Sequence, residues 1–61
     1  MNIIFTNNDY WLYDETASTL YNIESGTPYS VKDGILSNPN IEIVGDAESL
    51  FDAQAQMEAT K

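Results

Sequence analysis

The stretch NIIFTNNDYWLYD, residues 2–14, decides how this chain is read. Residues Asn2 to Thr6 alternate as a strand should, with Ile3 and Phe5 on one face and Ile4 on the other. Asn7-Asn8-Asp9 is turn material, because Asn and Asp tolerate positive φ. Tyr10 to Asp14 is rich in the aromatic types that suit a pleated surface, and it predicts a second strand. In that strand Tyr10 and Leu12 share one side, Trp11 and Tyr13 the other. The two strands and their short turn predict an antiparallel hairpin.

Reading outward, Glu15-Thr16-Ala17-Ser18 is a second turn and Thr19 to Glu24 a third strand, with Tyr21 and Ile23 on one face and Leu20 on the other. Together these make a three-stranded meander. Beyond Ser25-Gly26, Thr27-Pro28 has the form of a helix start, since Thr caps and Pro is favoured at the first helical position. Val31, Ile35 and Leu36 follow at helical spacing, weakened by Gly34, and the helix is expected to end before Ser37-Asn38-Pro39. Asn40 to Val44 then predicts a fourth strand with Ile41 and Ile43 inward, broken by Gly45.

Asp46 is the expected N-cap of a final helix, whose apolar stripe is Ala47, Leu50, Phe51 and Met57. Glu48 and Asp52 fall four apart on its opposite side, and residues 59–61 read as a frayed tail. The predicted order is β-β-β-α-β-α. It defines one α+β domain over residues 1–61, an antiparallel sheet of three to four strands with one or two helices on one face.

Composition narrows the chemistry. The chain has 61 residues and a formal net charge of −8, from 10 acidic residues against two lysines; Arg, His and Cys are absent. Disulfides within the chain and His- or Cys-ligated zinc are therefore excluded. A domain this small is marginally stable without such staples, so idealised packing or a partner chain has to compensate. No hydroxyl has a His base, and Ser30 and Lys32, two apart on the expected helix, would not face each other.

The carboxylate pairs Asp14/Glu15, Asp46/Glu48 and Glu48/Asp52 read as solvated surface acids and a helix cap. Asn7-Asn8-Asp9 and Asp33-Gly34 lack the spacing of a calcium loop, and the three glycines form no phosphate-binding loop. No catalytic residue, metal or cofactor is expected, and the chain reads as non-enzymatic.

Charge sets the expected partners. Two lysines among ten acids oppose direct binding to nucleic acid, and anionic lipid would repel the chain. No window reaches the roughly 20 apolar residues that span a bilayer, and no signal sequence is present, which predicts a cytoplasmic protein.

An acidic surface selects a larger, basic protein. Trp11, Tyr13 and Tyr21 are the expected aromatic anchors if Leu12 faces inward; a one-residue shift of register instead puts Trp11 in the core with Tyr10 at its rim, and the sequence leaves both open. Glu48 and Asp52, spaced like a phosphate step, are the expected acidic contacts, with Asp14, Glu15 and Glu24 at turn and strand ends as further ones. The leading expectation is thus an interaction module that binds and modulates a larger protein, in its narrow form an inhibitor mimicking nucleic acid in a basic groove. The alternative is a structural subunit that self-associates, as a homodimer, through the aromatic strand face. In size, acidity and lack of catalytic groups the chain is similar to small virus-encoded inhibitors of host enzymes, a similarity of composition that no motif carries.

Overall fold

A computed structural model describes residues 1–32 and 34–59; Asp33, Thr60 and Lys61, and with the last two most of the expected tail, lie outside the described residues. The strands are β1 (Asn2–Thr6), β2 (Asp9–Asp14), β3 (Thr19–Asn22), β4 (Pro28–Ser30) and β5 (Glu42–Asp46). A 3₁₀ turn, Ile35–Ser37, precedes β5, and one helix, α1 (Leu50–Ala59), follows it. The strands form one antiparallel sheet in the order β4-β3-β2-β1-β5.

The first hairpin forms as its residues dictate. Asn7 and Asn8 take φ values of 50° and 60°, so two consecutive left-handed residues close the Thr6–Asp9 pair. That is the primed turn whose twist matches the flanking strands. The register sets Ile3 opposite Leu12, which in turn faces Tyr21 across β3. Between β3 and β4, Gly26 at φ 76° closes the turn by donating its N–H to the Asn22 carbonyl oxygen at 2.7 Å. That positive φ is the reason for glycine here; a Cβ would only come into contact with Leu50 Cδ2, at 3.4 Å.

Each sheet face has its own cover. Ile3, Leu12 and Ile23 cluster with Ala47 and Ala53, with Tyr21, Leu50 and Met57 packed around them. Leu50, Ala53, Gln54 and Met57 are the inward row of α1, spaced i, i+3, i+4 and i+7. Gln54 fixes the helix by donating Nε2–H to the Ile23 carbonyl oxygen at 2.9 Å. Ile4 and Tyr13 point to the other face and are equally buried, at 0% and 1% exposure.

β4 and β5 occupy opposite edges, so the chain between them has to pass from one edge to the other, and with α1 on the first face this connection is the segment left to cover the second. Four strand spacings amount to roughly 19 Å, well within the reach of residues 31–41. Half-buried Val31, Ile35, Leu36 and Ile41 are the apolar side chains of that crossing.

Six expectations are corrected. The sheet has five strands rather than three to four, because Pro28–Ser30 pairs with β3 rather than starting a helix. Pro is tolerated at the first position of an edge strand, since no ladder partner needs its missing N–H. The helical spacing of Val31, Ile35 and Leu36 is broken by Gly34 at φ 80°, which leaves a single 3₁₀ turn.

The last strand runs two residues further than expected, through Gly45 to Asp46. A register shift opposite Ile3/Ile4 leaves Val44 as a bulge, and Ile43, on an uncovered edge, is 54% exposed rather than inward. The final helix starts at Leu50 with Ser49 as its cap: Ser49 Oγ accepts the Asp52 N–H at 3.2 Å, and Asp52 Oδ2 accepts the Glu48 N–H at 3.1 Å. This is close to the reciprocal capping box. Phe51 leaves the expected stripe and is 82% exposed, because Ala53 occupies the inward position between Leu50 and Met57.

Candidate functional site

The sequence-predicted contacts do not gather in one place. Leu12 faces the helix, which sends Trp11 and Tyr13 to the opposite face, as alternation requires. That face is covered, so Tyr13 is buried and the two do not form an exposed pair. Trp11 is half-buried, donates Nε1–H to the Thr6 carbonyl oxygen at 3.1 Å, and meets Tyr29 edge-on at a centroid distance of 5.7 Å. Tyr21 pairs with Leu12 and therefore packs on the helix side, away from Trp11.

The acidic candidates are similarly dispersed. Asp14 and Glu15 stand where β2 enters its turn, and Asp14 Oδ1 accepts the Ala17 N–H at 3.2 Å. Glu48 precedes α1, so it and Asp52 are not neighbours on a helical face. Asp52 Oδ2 is occupied in capping and also accepts a hydrogen bond from Gln56 Nε2 at 3.3 Å.

A different group of residues converges. Helix α1 covers only part of its sheet face, leaving a groove of about 850 Å³ between the C-terminal half of the helix and the tip of the first hairpin. Tyr10, Ile23, Val44 and Met57 line its apolar part; Asp9, Glu24 and Glu58 are its acids, and Gln54 its amide. Tyr10, 42% exposed, is braced by its cross-strand partner Phe5 at a ring-centroid distance of 4.9 Å. Asp9 is held as well, its Oδ1 accepting the Tyr10 N–H at 2.8 Å and its Oδ2 accepting Asn22 Nδ2–H at 3.0 Å.

Lys32, the only lysine among the described residues, follows β4 at the sheet edge remote from β5. An apolar floor, an aromatic ring and two acids without an engaged carboxylate, Glu24 and Glu58, match a long cationic side chain, whose stem packs while its head meets charge.

These residues come from a hairpin tip, the end of β3, an edge bulge and a helix C-terminus. No local motif joins them, and only the strand order brings them together. Among the described residues no three His, Cys, Asp or Glu side chains are grouped to hold a metal ion, and no helix is long and apolar enough to cross a membrane. Comparison with protein-family descriptions, characterised proteins and solved structures returns no match to this chain.

Proposed function

We propose that this chain is a non-enzymatic interaction module that binds a larger protein by taking a basic segment of it into the helix-side groove, and modulates that protein by occupying the segment. The observation that carries the reading is the placement of Glu24 and Glu58 on an apolar groove beside the exposed ring of Tyr10. A net charge of −8 would speed the encounter with a basic surface, while the groove would supply specificity. The groove is preferred over Glu48 and Asp52 as the acidic contact because the Asp52 carboxylate already serves the helix start.

The test compares two double variants of equal charge. Glu24→Gln/Glu58→Gln alters the groove; Glu15→Gln/Glu48→Gln removes two exposed carboxylates elsewhere. Each is titrated with a short peptide alternating Lys and Val. The groove variant is expected to bind roughly tenfold more weakly, one decade corresponding to about 1.4 kcal/mol, and the control to lose far less. Equal losses would mean diffuse attraction only and would overturn the site.

A further inference from the structure

The groove opens beside an unfinished sheet edge. β5 ends the strand order, so among the described residues its outer side has no strand partner. Natural edges are blunted by Pro, by Lys, by short length or by cover. The opposite edge follows this pattern, since β4 is three residues long and begins with Pro28. β5 has five residues, contains neither Pro nor Lys, and exposes two consecutive β-branched side chains, Ile43 at 54% and Val44 at 45%.

These side chains point to different surroundings. Ile43 pairs with Ile4 and therefore lies on the face away from the helix. Val44, at the bulge, lines the groove.

Charge decides what can pair there. Two β5 edges joined antiparallel about Val44 would set Glu42 of each copy against Asp46 of the other. Like charges directly opposite are destabilising, and each copy brings a net charge of −8. Asp46 is 84% exposed even though the Met1 amino group stands 3.5 Å from it. A second copy is thus a poor partner, and a basic strand is a good one.

Resting on the groove reading, we propose that β5 accepts an extended segment of the partner protein as a sixth strand. Lys or Arg side chains of that segment turn into the groove, and β-branched side chains turn toward Ile43. Backbone hydrogen bonds supply affinity that does not depend on sequence, and the alternation supplies selectivity. The recognised chemistry is therefore a basic, alternating, extended peptide.

The experiment uses the full chain and two probes, the alternating Lys–Val peptide and the same peptide N-methylated at alternate residues along the edge that would face β5. N-methylation keeps charge and side chains but removes the donors that strand addition needs. The unmodified peptide is expected to protect from hydrogen exchange those amides of Glu42–Asp46 that point away from β1. The methylated form is expected to bind at least roughly tenfold more weakly, since the donors that pair with the outer side of β5 are gone.

Equal binding of both peptides, with groove dependence retained, would overturn strand addition and leave the groove standing. Binding of both peptides that ignores Glu24→Gln/Glu58→Gln would overturn the groove reading itself. Dimerisation of the chain through β5, seen as mass rising with concentration in light scattering, would overturn the choice of partner.

Discussion

The two faces of the sheet are buried to the same degree by different means. Leu12 lies under a helix and Ile4 on the side crossed by an irregular connection, yet both are 0% exposed. The helix is a self-bonded rod, tied to the sheet by Gln54 and capped by Ser49. In the crossing, the described backbone bonds are one at its start, Val31 N–H to the Ser18 carbonyl oxygen at 3.0 Å, and local ones beyond it: Ser37 N–H to the Gly34 carbonyl oxygen, Asn38 N–H to that of Ile35 and Ile41 N–H to that of Asn38. The difference teaches that burial depth and rigidity of cover are separate properties. A connection can exclude water as fully as a helix while remaining better able to settle into a vacated space.

The largest expected effect breaks that comparison directly. Truncating a buried Leu or Ile to Ala costs about 2–5 kcal/mol, with the value set by how far the surroundings collapse. Leu12→Ala faces the rigid helix and is expected near the upper end of that range. Ile4→Ala faces the crossing and is expected near the lower end. Urea unfolding of both variants measures the gap, and equal losses would show that the two covers are equally stiff. Either variant removes much of the stability of so small a domain.

The same contrast explains what the sequence disclosed. The meander was legible because each strand carries its own alternation and Asn7-Asn8 states its own turn. The pairing of Leu12 with Tyr10 on one side and of Trp11 with Tyr13 on the other was legible too, but which side meets the helix was left open between two registers; the structure turns Leu12 to the helix. The crossing was not legible. Val31, Ile35 and Leu36 have helical spacing, but Gly34 sits in the left-handed region, and the partner of Pro28–Ser30 is a distant strand rather than the next turn of a helix.

The candidate site was hidden for a related reason. Glu24 was legible as an acid at a strand end, but its place beside Tyr10 and Glu58 arises only after the hairpins and the helix have folded. Reading Trp11 and Tyr13 as exposed required knowing that nothing would cover their face. Exposure is a property of the whole chain, and local alternation defines only sides.

A smaller effect acts on one cover alone. Ser49→Ala removes the acceptor for the Asp52 N–H and is expected to cost about 1 kcal/mol, the usual value of a lost N-cap. Because the capping bond lies at the start of α1, local opening of the helix should rise while the crossing is unaffected. Hydrogen exchange of the α1 amides against those of Ile35–Ile41 separates the two. A uniform rise across both would mean that the covers open together.

The smallest effect concerns the outer side of the helix. Phe51 is 82% exposed and belongs to no buried cluster, although it sits in the middle of an otherwise inward-reading apolar sequence. Phe51→Gln should therefore change stability by less than roughly 0.5 kcal/mol, the range of surface substitutions away from special features. It should also leave peptide binding intact, because Phe51 does not line the groove. Thermal unfolding of the variant checks the first point and the Lys–Val titration the second. A loss of several kcal/mol would mean that the helix turns Phe51 inward in solution. That rotation would move Met57 and Glu58 away from the groove, so this silent substitution also checks the geometry on which the binding site depends.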